Sequence, residues 1–491
     1  MIIINSQFFL ESATIQSIHD AMGKGDLTCR QLVEMYLDRI EQFDQKSAKL
    51  NSVILINPNV LEIADKLDKQ FKESGFVGSL HGIPVLLKDN VNTGDMPTTA
   101  GSLSLEGVIP EEDAFLAKKL KYAGAIIIAK VNLHEFAVWG ETVSSILGQT
   151  LNPYDLTRSP GGSSGGTGSG IAANFGLIGI GTDTINSIRS PASACSLVGF
   201  RPTVGLVSRS GVVPYALTQD TAGPIMRTVE DTARVLDVIS GWDKEDPMTA
   251  WSIDNMPKSY VDSLKKDGLV GKRIGILNSF FGKDPVHSEV NEIIFRGIQV
   301  MKDNGAILIP IEDNISADEL VGDISLHLYE LKSDLSLYLK SLGSKSKVHS
   351  LQDVIDSGKF HEGIKENILF ANTLDKGTDI YNTRMVKRLE IRNFLVDLMA
   401  RYNLDAIVYP HQKRPVVKVG KPQVDRNGVL GSLTGFPSIV VPGGFTKPTD
   451  TAPIGIPVGI EFLGREWCEP TLFEIAYGFE QVTKYRKPPI L

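Results

Sequence analysis

The sequence predicts an α/β fold, in which a central β-sheet is covered by helices on both faces. Short runs of apolar residues alternate along the chain with segments that repeat apolar residues at helical spacing. Some of the short runs are apolar throughout, as expected for strands buried on both faces of a sheet. With 491 residues, 42 % apolar and 22 % charged, the chain can bury the core that such a sheet needs.

The N-terminal part predicts two helices. Gly23 and Gly25 end the first, and Thr28 with Gln31 fits a capping box that begins the second. The apolar faces of the two helices are formed by Ile15, Ile18 and Met22 and by Leu32, Tyr36, Ile40 and Phe43.

The alternation of strands and helices then begins. The predicted strands are 53–56, 85–87, 125–129, 177–180, 273–277, 306–309, 405–409, 438–441 and 458–463. The predicted helices are 60–71, 114–123, 229–239, 290–302 and 472–479. Between about 311 and 402 strand signals vanish and charges are dense, which indicates helices that either cover the sheet or border a substrate entrance.

These elements divide the chain into four parts of one compact domain. Residues 1–75 form an N-terminal helical region packed on the core, and 76–310 form the core itself. Residues 311–402 form a helical layer near the substrate entrance, and 403–491 return to the core sheet. Because the chain leaves the core and comes back to it, one domain is favoured over two.

Composition excludes several classes of function. The net charge of −8 argues against nucleic acid as a partner, since phosphate binding needs a basic face. The cysteines Cys29, Cys195 and Cys468 are few, distant and odd in number, so they predict buried thiols and no disulfide framework. No basic leader and no run near the ~18 apolar residues of a membrane span is present. We therefore predict a cytoplasmic protein without membrane or nucleic-acid partners, monomeric or homodimeric.

The segment from Arg158 to Pro191 is the most informative part of the sequence. It carries two serines, Ser163 and Ser187, around a glycine-rich stretch without charged residues before Asp183. Small residues let backbone N–H groups approach a substrate closely. Together with Lys88, which follows an apolar run, the two serines are the candidate active site.

Other motifs fit this segment less well. A phosphate-binding loop needs Gly-Lys-Ser/Thr after its glycines, and a dinucleotide site needs a preceding strand and an acid about twenty residues on. Gly161–Gly165 fits the G-x-S-x-G elbow of α/β-hydrolases, but the residues before it form a polar loop broken by Pro153 and Pro160. His134-Glu135 and His361-Glu362 lack the second histidine of a zinc motif, so no metal site is predicted.

The order of several short motifs resembles the amidase signature family over most of the chain. The ending and the stretch 200–224 look most like the bacterial peptide amidases of that family. The matching motifs are Gly82-Ile83-Pro84-Val85 to Lys88-Asp89-Asn90, Thr99-Ala100-Gly101-Ser102, Asn152-Pro153, the GGSSGG block at 161–166, Gly181-Thr182-Asp183-Thr184 to Ser187-Ile188-Arg189, and Gly455-Ile456-Pro457-Val458-Gly459. The resemblance implies a single large mixed sheet and an amide hydrolase that uses neither cofactor nor metal.

The resemblance also implies a role for each site residue. Ser187 corresponds to the nucleophile, Ser163 to a bridging serine after a cis peptide at Gly162–Ser163, and Lys88 to the general base. The oxyanion hole corresponds to backbone N–H groups of Thr184, Ile185, Asn186 and Ser187, in a turn before a helix that starts near Pro191 and adds a favourable dipole. Asp183 and Arg189 correspond to residues that support this turn.

Lys88 can act as a base only when it is uncharged. Burial with little counter-charge disfavours the ammonium and lowers a lysine pKa. Asp89 follows Lys88 directly, but adjacent residues of a strand point to opposite faces, so this carboxylate is not expected to neutralise the effect. A neutral Lys88 draws a proton from Ser187 through Ser163, because a hydroxyl both donates and accepts.

One departure from the family pattern precedes the nucleophile. The family has glycine at this place, whereas this chain has Ile185-Asn186; if the position needs positive φ, Asn is the least costly replacement. The Asn186 side chain is expected to narrow the acyl pocket. The expected substrate is a C-terminally amidated peptide or another small-molecule acyl amide. The alternatives are a weakened or redirected acyl-transfer homologue, an esterase, a non-catalytic scaffold and the A-type component of a glutamine amidotransferase.

Overall fold

The computed structural model describes residues 8–313 and 315–491, and the first seven residues, which bear on the expected absence of a leader, lie outside them. Over the described residues the chain forms thirteen strands and fifteen α-helices. The strands are β1 Val53–Ile56, β2 Pro84–Lys88, β3 Ile126–Val131, β4 Val143–Ser144, β5 Gly148–Gln149, β6 Ile178–Asp183, β7 Val198–Arg201, β8 Thr221–Met226, β9 Arg273–Leu277, β10 Ile307–Ile311, β11 Ala406–Pro410, β12 Ser438–Phe445 and β13 Pro457–Leu463. The helices are α1 Ile15–Lys24, α2 Cys29–Arg39, α3 Val60–Ser74, α4 Phe115–Tyr122, α5 Gly165–Ala172, α6 Arg189–Ala194, α7 Val229–Ile239, α8 Ser288–Asp303, α9 Ala317–Ile324, α10 His327–Ser341, α11 Leu351–Ser357, α12 Lys365–Asn372, α13 Asp379–Arg401, α14 Leu430–Thr434 and α15 Glu469–Thr483.

Eleven strands within the described ranges form one mixed sheet, which confirms the predicted fold class. Their order is β1-β3-β2-β6-β8-β7-β12-β13-β11-β9-β10, and β4 with β5 forms a separate hairpin. The neighbouring strands β3, β2 and β6 run parallel to one another. Strand β8 pairs antiparallel with β6, and β7 pairs antiparallel with β8. Most predicted strands and helices occur within a few residues of their expected bounds, and Thr28 with Gln31 forms the expected capping box.

Strands β4, β5, β7 and β8 and helices α5 and α14 were not predicted. Strand β7 was missed because its sequence VGFR contains glycine and ends in a charged residue, and β8 because its sequence TAGPIM contains glycine and proline. Helix α5, GGTGSGIA, was missed because glycine disfavours helices. Its glycines are needed for packing: a Cβ on Gly166 would lie 2.3 Å from the carbonyl oxygen of Asn132, and one on Gly168 would lie 2.8 Å from Cβ of Pro191.

The pairing of β2 with β6 places the site. These strands are parallel, with Leu87 opposite Ile180, so their carboxyl ends lie at the same edge of the sheet. Lys88 is the last residue of β2, and Thr182 and Asp183 end β6. Backbone pairing alone therefore brings residues 94 positions apart into contact.

The helices that follow β10 pack on loops as well as on the sheet. Side chains of α10, α11 and α12 form an apolar cluster with the loops around 100–108, 136–138 and 213–215, separate from the main core. The N-terminal helices, by contrast, share the main core with the sheet and with α15. All three cysteines are free, and no helix of the described residues is long and apolar enough to cross a membrane.

Candidate active site

Lys88 is fully buried at the end of β2 and contacts two hydroxyl groups. Its Nζ lies 2.8 Å from Ser163 Oγ and 2.7 Å from Thr182 Oγ1, with the Thr182 carbonyl oxygen at 3.5 Å. None of the ion pairs in the described part of the chain involves Lys88. Burial lowers the pKa of Lys88 from its ordinary 10.5 to about 7, although Asp183 and Asp220 oppose the shift.

These three contacts can be made by the Lys88 amine in either protonation state. A neutral amine offers two N–H donors and one lone pair, whereas an ammonium offers three donors and no lone pair. The two Thr182 oxygens can take the two N–H groups, which leaves the lone pair for the Ser163 hydroxyl proton. Asn90 Nδ2 also donates to Thr182 Oγ1 at 3.0 Å and fixes that hydroxyl in place.

Asp89 follows the last residue of β2 and contacts Lys130, whose place in β3 is opposite Leu87 and not opposite Lys88. Its carboxylate lies 3.1 Å from the ammonium of Lys130, a second fully buried lysine. The Asp89 carboxylate also accepts the backbone N–H of Thr99 at 3.1 Å. Asp89 is therefore paired away from Lys88, and the two neighbours do not form an ion pair.

Ser163 stands at a cis peptide bond with Gly162, in a loop that admits no larger residue. A Cβ on Gly162 would lie 2.6 Å from Thr142 Oγ1 and 2.9 Å from the Gly140 backbone. Thr142 Oγ1 in turn donates to the Gly161 carbonyl at 2.7 Å. These contacts hold the Ser163 hydroxyl against Lys88.

Ser187 lies beside this loop, in the turn between β6 and α6. The Ser164 N–H donates to the Ser187 carbonyl at 3.2 Å, so the two serine-bearing segments are in direct backbone contact. Ser187 is 6 % exposed. Within the described residues the Ser187 hydroxyl makes no hydrogen bond to protein. The hydroxyl groups of Ser163 and Ser187 are therefore not hydrogen-bonded to each other in this structure. Helix α6 begins at Arg189, two residues before the predicted Pro191, and is only six residues long.

The turn is held by a buried set of charged groups. Asp183 accepts hydrogen bonds from the Ile188 N–H at 3.0 Å, from Arg189 at 3.2 Å and from Arg201 at 2.7 Å. Burial alone would raise the pKa of Asp183, but the two guanidinium groups hold it well below its ordinary value. Arg189 also donates to the Ile185 carbonyl at 2.6 Å, which ties the predicted oxyanion loop to this set.

A second carboxylate, that of Glu461, belongs to this charged set through its contact with Arg189. Glu461 pairs with Arg189, accepts from Tyr409 at 3.1 Å and lies 2.6 Å from Nδ1 of His411. Burial would raise the pKa of Glu461, but Arg189 and His411 lower it to about 2. The set thus contains two carboxylates and two arginines, all fully buried.

Asp220 holds the beginning of the predicted oxyanion loop. Its carboxylate accepts from Thr184 Oγ1 at 2.6 Å and from the backbone N–H groups of Tyr215 and Ala216 at 2.8 and 3.0 Å. Burial raises the pKa of Asp220 to about 6. Gln219 donates to the Thr184 carbonyl at 3.2 Å, so both ends of this residue are fixed.

The condition stated for Asn186, a positive φ, is not met. Neither Ile185 nor Asn186 has positive φ, so Asn is not present to relieve backbone strain. Its side chain is buried with Nδ2 unpartnered, and Nε2 of the buried His411 is also unpartnered. Both side chains pack on Gly428, where an added Cβ would lie 3.2 Å from Asn186 Cβ and 2.3 Å from His411 Cε1.

Several residues of this site were not singled out from the sequence. Thr182 and Asn90 lie inside the quoted motifs, so a signal existed for them. Arg201 and Asp220 lie in the stretch 200–224 but were not singled out within it, whereas His411 and Glu461 gave no signal, because they reach the site only through the order of strands in the sheet.

Comparison with known proteins decides the family. The sequence matches the amidase family, described as Amidase, over residues 31–473. The chain belongs to the amidase family. As an amidase it is an enzyme that hydrolyses amide bonds.

The relatives of this amidase include enzymes of more than one kind. An Arabidopsis thaliana protein named as a probable amidase is 37 % identical, over 99 % of this chain and 93 % of that protein. The A-type component of the glutamyl-tRNA(Gln) amidotransferase from Clostridium kluyveri is 33 % identical, over 96 % of each chain. The crystal structure of a peptide amidase from Stenotrophomonas maltophilia superposes with a TM-score of 0.87 at 34 % identity, covering 98 % of each chain. The resemblance stated from the motifs, including the peptide amidases, is confirmed.

Proposed function

We propose that this amidase forms an acyl-enzyme on Ser187, with Ser163 as the proton relay and Lys88 as the general base. As the Ser187 oxygen attacks the amide carbonyl, its proton passes to Ser163 while the Ser163 proton passes to Lys88. The C–N bond then breaks, and the departing nitrogen takes the proton back by the same path. Water repeats the sequence on the acyl-enzyme and releases the carboxylic acid.

The single observation that carries this proposal is the position of the buried Lys88 amine beside the Ser163 hydroxyl. Lys88 has no counter-charge in contact, its pKa is about 7, and its Nζ lies 2.8 Å from the relay hydroxyl. A general base works best when its pKa lies near the operating pH, and this geometry is within hydrogen-bond reach. A neutral Lys88 that donates both N–H groups to the Thr182 oxygens would keep its lone pair for the Ser163 hydroxyl proton.

The oxyanion hole is proposed to consist of backbone N–H groups from Thr184 to Ser187. Arg189 holds the Ile185 carbonyl, and Asp220 holds the Thr184 side chain, so this loop is fixed from both sides before a substrate arrives. Donors that are fixed in advance need no reorganisation when charge develops on the carbonyl oxygen. Asp183 and Arg189 are proposed to act as supporting residues through this loop.

The proposed substrate is a C-terminally amidated peptide or another acyl amide. The support is the similarity along 98 % of the chain to a peptide amidase, in both fold and motifs. The A-type component of a glutamine amidotransferase is the second candidate, because relatives with that name match nearly the whole chain at 33 % identity. A second protein that copurifies with this chain would favour the second candidate.

Substrate screening with matched variants tests the proposal. Amidated dipeptides, glutamine, anilides and esters are offered to the wild type and to Lys88→Ala, Ser163→Ala and Ser187→Ala. Ser169→Ala is the control, because Ser169 is also a buried serine but bonds only the Leu151 carbonyl. We expect the control to keep activity and the other three to lose ~10²-fold or more.

Covalent labelling gives an independent test of the nucleophile. A serine-directed fluorophosphonate should label the wild type on Ser187, as located by peptide mass spectrometry. Labelling of another serine, or full activity in Ser187→Ala, would contradict the assignment. Failure of every substrate together with clean labelling of Ser187 would leave the nucleophile in place and reject only the substrate class.

A further inference from the structure

A loop of residues 213–220, the bridging loop, contacts both the helical layer and the turn that carries Ser187. Its first half joins the layer by apolar packing, because Val213 and Tyr215 belong to the cluster formed with α10, α11 and α12. Its last residue, Asp220, accepts the Thr184 hydroxyl at 2.6 Å. The bridging loop is therefore in contact with the layer at one end and with the proposed oxyanion loop at the other.

Two buried carboxylates of α10 hold the backbone of the bridging loop. Asp334 accepts the Leu217 N–H at 2.9 Å, and Glu330 accepts the Thr218 N–H at 3.1 Å and the Thr218 hydroxyl at 3.0 Å. Glu330 is fully buried, and Asp334 is nearly so. Hydrogen bonds from N–H groups to a carboxylate are stronger than those between neutral groups, so α10 fixes this part of the loop.

Gln219 connects the helical layer directly to Thr184. The Gln219 side chain is fully buried, and its Oε1 accepts the Leu326 N–H at 2.7 Å and the Ser325 hydroxyl at 3.2 Å, between α9 and α10. Its Nε2 donates to the Thr184 carbonyl at 3.2 Å. Only this orientation of the amide satisfies both sides, because the Leu326 N–H needs an acceptor and the Thr184 carbonyl needs a donor.

A carbonyl group that is held in place also sets the direction of the N–H group of the next residue. The Thr184 carbonyl and the Ile185 N–H belong to one planar trans peptide unit, in which they point in opposite directions. The same holds for the Ile185 carbonyl, to which Arg189 donates at 2.6 Å, and the Asn186 N–H. In the part of the chain that the structure describes, neither of these N–H groups makes a hydrogen bond.

We propose that Gln219 is a positioning residue for amide hydrolysis, which aims the Ile185 N–H at the carbonyl oxygen of the substrate. This inference rests on the acyl-enzyme mechanism proposed above. Arg189 sets the direction of the Asn186 donor from within the charged set, whereas Gln219 sets that of the Ile185 donor from the helical layer. The layer thus contributes to catalysis as well as covering the sheet, because it fixes one oxyanion donor before the substrate arrives.

The rate at which a fluorophosphonate labels Ser187 tests the proposal without a known substrate. When the Ser187 oxygen bonds to phosphorus and fluoride leaves, the phosphonyl oxygen takes the place of an amide oxyanion. The dependence of the labelling rate on reagent concentration separates the binding constant KI from the maximal rate kinact. The values of KM and kcat for an amidated dipeptide give the same separation for the hydrolytic reaction.

Two variants of Gln219 are compared with a matched control. Gln219→Met keeps the length of the side chain without its hydrogen bonds, and Gln219→Asn keeps an amide that is one methylene shorter. The control is Asn57→Leu, because Asn57 is a buried amide that donates to the Ile127 carbonyl at 2.9 Å and accepts the Asn59 N–H at 2.9 Å, between β1 and α3. Circular dichroism verifies that each variant is folded, and Gln219→Asn, the smaller change in packing, decides the test if Gln219→Met does not fold.

We expect kinact and kcat to fall ~10-fold or more in both Gln219 variants, with KI and KM within ~2-fold of the wild type. Loss of an oxyanion donor costs ~10²–10³ in rate, and a misdirected donor costs part of that. The control should keep all four values, and an equal loss in the control would overturn the proposal.

Wild-type kinact in a folded Gln219 variant, or a loss confined to KI and KM, would also overturn the role of Gln219 while leaving the nucleophile in place. Labelling of the wild type at a serine other than Ser187 would instead overturn the acyl-enzyme mechanism, and the role of Gln219 with it. The two failures are therefore distinguished by which serine carries the label.

Discussion

Replacement of Lys88 by methionine removes an amine whose charged form is destabilised by burial in the folded protein. The ordinary pKa of the lysine is 10.5, and in the fold it is about 7. Between these two values the unfolded chain binds more protons than the folded chain, so the wild type becomes more stable as the pH rises. The free-energy cost of burying the charged Lys88 amine is complete below pH ~7 and absent above pH ~10.5. The Lys88→Met variant lacks this cost at every pH.

The magnitude follows from the two pKa values of Lys88. Each pKa unit corresponds to about 1.36 kcal/mol, so the penalty is ~4 kcal/mol at pH 7 and ~2 kcal/mol at pH 9. The difference in unfolding free energy between Lys88→Met and the wild type should therefore change by ~2 kcal/mol between these pH values. Lost hydrogen bonds to Ser163 and Thr182 contribute equally at both pH values, so they cancel in this comparison.

Urea unfolding at pH 7 and pH 9, followed by circular dichroism, measures this change. Ser169→Ala serves as the control, because its hydroxyl bonds only a backbone carbonyl and its difference from the wild type should not depend on pH. If the difference for Lys88→Met is the same at both pH values, then Lys88 titrates alike in folded and unfolded chains. The reasoning that makes it a base near neutral pH would then be refuted.

Further predictions concern activity and the charged set. The value of kcat/KM should fall about tenfold per pH unit below pH ~7 as Lys88 becomes protonated, and a flat profile between pH 5 and 8 would exclude the lysine as the base. Asn186→Gly should raise kcat/KM for bulky acyl amides several-fold relative to acetamide, because it removes a buried side chain beside the nucleophile; an unchanged ratio would argue against that role. Glu461→Gln should lower the free energy of unfolding by ~3–5 kcal/mol, because Arg189 loses a buried counter-charge, whereas a urea-unfolding loss below ~1 kcal/mol would show that the pair is dispensable.

The sequence predicted the fold class and most of the sheet because the informative strands are apolar and short. Residues 53–56, 229–239 and 273–277 have the predicted bounds, since each is a clean apolar pattern between turn residues. Helix α5 could not be predicted from propensity, because its four glycines are dictated by close approach to other backbone and side chains and not by local preference.

The site was predictable to the extent that it is local in sequence. Lys88, Ser163 and the turn before Ser187 lie in recognisable motifs, and the structure places Lys88 against Ser163. His411 and Glu461 were not predictable, because they reach the turn from just after β11 and from within β13, far along the chain. The backbone angle of Asn186 was left open, because sequence alone does not show which position of a turn carries positive φ; the structure shows that Asn186 does not.

The end of strand β2 separates two buried regions that differ in charge. On one side Lys130 and Asp89 form an ion pair, and on the other Lys88 has only hydroxyl and carbonyl oxygens in contact. The last residue of β2 and the turn residue that follows it therefore have opposite requirements: Asp89 has a partner charge, and Lys88 has none. A single-residue slip of this strand would change the surroundings of Lys88, so the proton transfer proposed for it would depend on sheet register as directly as on the identity of the amine.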